Sequence, residues 1–116
     1  MLIEIDESSP VPLYLQIASS IRRSIAEGRL AAGTRIPPSR DLADELEVNM
    51  HTVQRAYGEL RDEGLLQLRQ GRGAVVAGGE TRRRARLNDM IRTLLLEARE
   101  QGVSLRELSE LLEEMA

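Results

Sequence analysis

A mostly α fold with a small β wing is what this sequence predicts, and three observations predict it. Apolar residues recur every four positions in the first quarter of the chain. Two short apolar stripes then follow one another with only three or four residues between them. Beyond these, two β-prone runs are joined by a glycine-containing turn. Helical spacing returns after that turn, so the chain divides into a first section, 1–78, and a helical second section, 79–116.

The elements follow in order. Leu2 to Ile5 (LIEI) alternates apolar and acidic residues, as a short strand or a lead-in segment would. From Pro12 to Glu27, Leu13, Ile17, Ile21 and Ile25 mark the stripe of an amphipathic helix that Gly28 stops. GRLAAGTRIPP breaks the period and reads as a connector. Ser39 is the expected N-cap of a two-turn helix carrying Leu42, Ala43 and Leu46, with Asp41 in its first turn. Asn49 is the expected N-cap of the next helix, whose stripe Val53, Ala56, Tyr57 and Leu60 is read as core and which ends at Gly64. Such closely spaced helices form a helix-turn-helix, in which the second helix is presented to the DNA major groove. LLQLR and AVVA around QGRG then read as a hairpin, the wing. Leu87, Met90, Ile91, Leu94, Leu95 and Ala98 mark a further helix ended by Gly102. Ser104 and Glu107 form a capping box for a last one carrying Leu105, Leu108, Leu111, Leu112 and Met115.

Composition bounds the function. The 116 residues, 41% hydrophobic and 30% charged, give room for one compact domain and an appendage. No cysteine is present, which removes disulfides, thiolate metal sites and thiol nucleophiles, and one histidine cannot build a metal site. No metal or other cofactor is expected. No nucleophile–base pair or phosphate-cradling loop is visible, and GRGAVV lacks the strand-before, helix-after context of a dinucleotide site, so an enzyme is not expected. The N-terminal MLIEIDESSP carries acids where a signal peptide needs basic and then apolar residues; a cytoplasmic protein without a membrane partner is expected. The net charge of −3 opposes a nucleic-acid partner in the far field, yet binding depends on which face carries the arginines. All 16 cationic residues are arginine, whose planar fork suits phosphate and guanine.

PPSRDLA, TVQRAYGEL and GRG, in that order, resemble the GntR family of bacterial transcription regulators. There a Pro-Ser-x-Arg-x-Leu-Ala segment opens the second helix, a Thr-Val-x-x-Ala-(Tyr/Leu)-x-x-Leu segment forms the recognition helix, and Gly-x-Gly tips the wing. The short helical section after Glu80 is similar to the YtrA subfamily, whose members dimerise through such helices and whose targets often include transporter operons. The resemblance implies a sequence-specific regulator, a repressor acting as a homodimer on an inverted-repeat operator. The competing reading is a winged helix used for protein–protein contact, which the acidic net charge favours.

The resemblance also implies roles for individual residues. Arg40 would contact phosphate or a base edge, while Asn49, Met50, His51, Thr52, Gln54 and Arg55 occupy the turns that enter the major groove. Asn49, Thr52 and Gln54 are the base-edge or phosphate candidates; His51 is either a contact or simply exposed. Many relatives carry arginines where this chain has Met50 and Gln54, so their guanine preference does not carry over. Gly71, Arg72 and Gly73 form the wing tip, where Arg72 would enter the minor groove.

The run Arg82, Arg83, Arg84, with Arg86, sits where positive charge opposes the helix macrodipole. It reads as a solvated face, or as leaning toward the DNA backbone or acids of a partner subunit. Two leucine-faced helices cannot enclose both faces by packing on each other, so Leu87, Met90, Ile91, Leu94, Leu95, Ala98, Leu105, Leu108, Leu111, Leu112 and Met115 are expected to be shared between subunits. A small-molecule effector at that interface is compatible with this reading.

Overall fold

The structure, a computed structural model, describes residues 3–70 and 72–116. Its order is α1 (Leu13–Ala26), β1 (Arg35–Ile36), α2 (Ser39–Leu46), α3 (Met50–Asp62), β2 (Leu66–Arg69), β3 (Gly73–Val76), α4 (Thr81–Glu100) and α5 (Leu105–Met115). The three strands form one antiparallel sheet in the order β1-β3-β2, with Leu66 opposite Val76 and Ile36 opposite Ala74. One core joins α1, α2, α3 and the sheet, and the stripe residues Ile17, Ile21, Ile25, Val53, Ala56, Tyr57 and Leu60 all lie in it.

Local chemistry sets the element ends. Pro12 opens α1, its carbonyl accepting from the N–H groups of Leu15 and Gln16 at 3.0 and 3.1 Å. The Gln16 amide reaches back to bond the Asp6 N–H and C=O at 2.8 and 2.9 Å. Leu2 lies outside the described residues. Ile3 and Ile5 form no strand and pack on the core as a lead-in segment. Asn49 caps α3, its Oδ1 accepting from the His51 N–H at 2.7 Å. Ser104 caps α5 through the Glu107 N–H at 3.1 Å, while the Glu107 carboxylate meets the Ser104 hydroxyl.

Two details differ from expectation. Ser39 does not cap α2. Pro38, with φ −53° and ψ 148°, precedes the helix and its carbonyl accepts from the Leu42 N–H at 3.1 Å, so Ser39 is the first helical residue. The connector also contains a strand, β1, which is held by pairing with β3 and has no local periodicity of its own.

The helix-turn-helix bend is closed by Glu47 in the left-handed region (φ 56°), with the Val48 N–H donating to the Ala43 carbonyl at 3.0 Å. On the other side of the molecule α4 packs along α1, and Ala85 joins the same core. The Thr81 hydroxyl turns the chain into α4, lying 2.6 Å from both the Ala77 and Gly78 carbonyl oxygens.

The arginine run at the start of α4 is used inside the chain. Arg82 Nε donates to the Ala26 carbonyl at 3.4 Å and its guanidinium covers Gly28, while Arg84 covers Gly64. Both cations thus sit at helix C-termini, those of α1 and α3, where the macrodipole favours them. Arg83 pairs with Glu80 at 3.2 Å. Arg82 thus makes one long bond within the chain, while Arg84 and Arg86, both exposed, form no ion pair among the described residues.

A charged cluster ties α1, α3 and α4 together. Arg22, 1% exposed on α1, is held in a two-pronged bond by Glu63, which caps the C-terminus of α3; the Nε to Oε1 distance is 2.9 Å. Asn88 and Arg92 of α4 approach the same carboxylate at 3.0 and 3.9 Å, and Arg92 bonds Glu59 of α3 at 2.8 Å.

Candidate nucleic-acid interface

The geometry of the candidate surface follows from the way α3 is anchored. Val53, Ala56, Tyr57 and Leu60 face the core, so helical spacing turns His51, Gln54, Gly58 and Arg61 outward toward the wing. Tyr57 adds a polar tether: its hydroxyl donates to the Pro37 carbonyl at 2.7 Å and fixes the approach to α2. Burial pushes that hydroxyl well above its ordinary pKa, and the carboxylates of Asp41 and Glu45 push it further, so it remains a donor.

Between α3 and the wing lies a cleft of about 370 Å³, whose polar lining includes Ser39, Gln54, Arg61, Arg69 and Gln70. Arg40 is exposed beside it at the start of α2, and Arg72 is exposed at the wing. Arg40, Arg69 and Arg72 form no ion pair among the described residues, although Arg69 Nη2 donates to Gln67 Oε1 at 3.2 Å; Arg61 pairs with its neighbour Asp62 at 3.2 Å.

The other predicted residues are distributed unevenly. Asn49 is exposed, but its side-chain oxygen is used in capping. Met50 is half-buried against the core, and Thr52 is half-buried. His51 Nδ1 lies 3.1 Å from Gln54 Oε1, which makes His51 the donor and leaves the Gln54 amide N–H groups free. Arg55 points to the opposite flank, where its guanidinium lies 3.9 Å over the ring of Tyr14. Gly71 lies outside the described residues.

Gly73 is a glycine for an internal reason. Its φ is +80°, and a Cβ there would stand 2.3 Å from the Ile36 carbonyl oxygen. Ser39, Arg61 and Arg69 were missing from the residues expected at this surface. Only the placement of Arg69 two residues before the wing tip signals it in the sequence.

On α4, Leu87, Met90, Ile91 and Leu94 form an exposed apolar face, and Leu105, Leu111, Leu112 and Met115 are exposed on α5. Leu95 lies at the border of exposure, next to Leu96, which is also exposed and was not singled out in the sequence. Ala98 and Leu108 are buried within the chain, because α5 folds back over the end of α4. Among the described residues no helix is long and apolar enough to cross a membrane, and no group of three or more metal-ligating side chains occurs.

A helix-turn-helix followed by a small antiparallel wing, with Arg61 and Arg69 lining the cleft between them, is the architecture of a winged-helix DNA-binding transcription regulator. The model for bacterial regulatory proteins of the gntR family matches residues 13–76, and the chain belongs to that family, one of regulators and not of enzymes. It is similar to the HTH-type transcriptional repressor YtrA of Bacillus subtilis (strain 168), at 28% identity over 99% of this chain and 92% of that protein. Among solved structures, YtrA from Sulfolobus acidocaldarius, a GntR-family transcription factor, aligns with a TM-score of 0.66 and 38% identity, covering 84% of this chain and 97% of that one. The AraR DNA-binding domain in complex with operator ORX1 aligns over 65% of this chain and 96% of its own, with a TM-score of 0.58 and 31% identity. Several other curated relatives are matched over only 14% to 27% of their own length.

Proposed function

We propose that this chain is a cytoplasmic repressor that binds an inverted-repeat operator as a homodimer, with α3 in the major groove and the wing against the neighbouring minor groove. One observation carries this reading: Gln54 and Arg61 of α3, Ser39 of α2, and Arg69 and Gln70 of the wing line a single cleft, with Arg40 and Arg72 exposed one and two residues beyond that lining in sequence. A phosphate strand running through that cleft would meet donors from Ser39, Arg61, Arg69 and Gln70, while His51 and Gln54 reach base edges. Arg40 and Arg72 add contacts at the two ends, and Asn49 and Thr52 contribute at the helix start. Arg55 serves α1 instead, and Gly73 serves the wing's own packing. The AraR domain, in complex with its operator, supports the same use of this fold.

The exposed face of Leu87, Met90, Ile91 and Leu94 supports pairing with a second copy, to which the exposed leucines of α5 add area. Two linked heads raise apparent affinity by about 10² to 10⁴ without new contacts. Repression then follows from occupancy of a promoter, and an effector would act by changing the spacing of the heads.

The test is Leu94→Asp, read by sedimentation and by DNA titration. A monomer that loses affinity for the inverted repeat by about 10²-fold, with half-site affinity unchanged, is the expected result. A variant that remains dimeric, or that binds the full operator normally as a monomer, refutes the proposal.

A further inference from the structure

A second cavity, of about 420 Å³, lies on the other side of the molecule, between the start of α1, the C-terminal half of α4 and the turn into α5. Its volume falls in the range of about 300–1,000 Å³ usual for small-molecule pockets. The cavity borders the exposed face of α4 at Leu95 and lies mostly around the helix from it. Ala85, Asn88 and Arg92 turn toward α1 and α3, and Leu96 and Arg99 continue that side at helical spacing, whereas Leu87, Met90, Ile91 and Leu94 lie well around the helix. A second copy seated on Leu87, Met90, Ile91 and Leu94 alone would leave the cavity open, whereas one that also covered Leu95 and Leu105 would close it.

The lining has two parts. Leu15, Leu95, Leu96, Val103, Leu105 and Leu108 supply an apolar wall, and Arg22, Arg92 and Arg99 supply three guanidinium groups. Among the described residues no carboxylate lines it. Arg22 is spent on Glu63, Arg92 is shared with Glu59, and Arg99 forms no ion pair among the described residues. A cavity with apolar walls, an unpaired cation and no acid suits a molecule with an apolar body and one negative head.

We propose that this cavity binds a small amphipathic carboxylate, its head held by Arg99 and Arg92 and its body lying along Leu15, Leu95, Leu96 and Leu105. The same geometry gives the ligand a route to the DNA-binding surface. Arg92 bonds Glu59 on α3, and both side chains are partly open to solvent, so a carboxylate that takes Arg92 competes directly with Glu59. Bound ligand loosens the tie between α4 and α3 and alters how the head is held against the helices proposed to pair. By linkage, operator and ligand then alter each other's affinity by the same factor. This regulatory half rests on the operator-binding reading above; the binding site itself does not.

The test uses the full chain and three probes: octanoate, acetate with the head alone, and 1-octanol with the body alone. Calorimetry without DNA is expected to show saturable octanoate binding, with both controls weaker by about tenfold or more. Arg99→Gln should weaken octanoate by about tenfold with an unchanged melting temperature, while Arg106→Gln, an exposed arginine outside the cavity, changes nothing. In DNA titrations saturating octanoate should shift operator affinity by about fivefold or more, and Arg92→Gln should abolish the shift. No saturable binding, equal affinity for 1-octanol, or indifference to Arg99→Gln overturns the site. Octanoate that binds by splitting the dimer also overturns it, by marking the cavity as an interface between copies. Octanoate binding with unchanged operator affinity overturns the regulatory half alone. Absent operator binding in octanoate-free protein refutes the operator reading, and calorimetry still decides the site.

Discussion

Replacing Glu63 by glutamine should cost far more than replacing its partner Arg22 by methionine, although both changes break the same ion pair. The asymmetry comes from what each change leaves behind. Arg22 is 1% exposed, and without the Glu63 charge its guanidinium keeps only a neutral amide oxygen and the Ser19 hydroxyl at 3.4 Å. A buried charge stripped of its counter-charge typically costs about 3–5 kcal/mol. Glu63 is less enclosed, at 12%, and in the Arg22→Met protein it retains Asn88 at 3.0 Å and Arg92 at 3.9 Å. Methionine also fills the space with an apolar chain, so that change should cost about 1–2 kcal/mol. Against a typical stability of about 5–15 kcal/mol, Glu63→Gln removes a large share and Arg22→Met does not. The double variant should be no less stable than Glu63→Gln alone, because it removes the stranded cation. Urea denaturation at one fixed protein concentration measures all three, with midpoints compared at unchanged slope. A cost for Arg22→Met equal to or above that of Glu63→Gln, or a double variant equal to the sum, refutes this account of the cluster.

Three other substitutions test local features. Gly73→Ala places a Cβ against the Ile36 carbonyl at a positive φ and should cost about 3 kcal/mol, with loss of DNA affinity as the wing detaches; a near-neutral melt would contradict the packing. Glu47→Gly relieves a left-handed backbone in the helix-turn-helix bend and should stabilise by up to about 1 kcal/mol, raising Tm by several degrees; a lower Tm would show that Glu47 is unstrained. Tyr57→Phe strands the Pro37 carbonyl and should cost about 1–2 kcal/mol in the same urea assay, whereas a change within a few tenths of a kcal/mol would discount the tether.

What was legible in the sequence is what short-range physics dictates. Four-residue apolar spacing located α1 and α3, the Asn49 and Ser104 caps marked two helix starts, and the glycines around Arg72 marked the hairpin. What was hidden depends on distant partners. Arg22 looks like any arginine beside an apolar stripe, because Glu63 lies 41 residues away. The arginines at the start of α4 make sense only once α1 and α3 end beneath them, and β1 exists only because β3 pairs with it. At the candidate interface, local position pointed to His51, Gln54, Arg40 and Arg72, and the fold leaves all four exposed. Local position could not show that Arg55 lies over Tyr14 of another helix, or that Ser39, Arg61 and Arg69 come together in one cleft.

The central claim, specific operator binding by α3 and the wing, is tested most directly by titrating the protein against fluorescent fragments of its own promoter region, with random DNA as competitor, at two salt concentrations. Tight, competitor-resistant binding whose logarithm falls with log salt at a slope of about −0.9 per phosphate contact, and a slope that shrinks by about one unit in Arg69→Ala, is the predicted result. Binding that is absent, or equal for random DNA, contradicts it and leaves the fold to a protein partner.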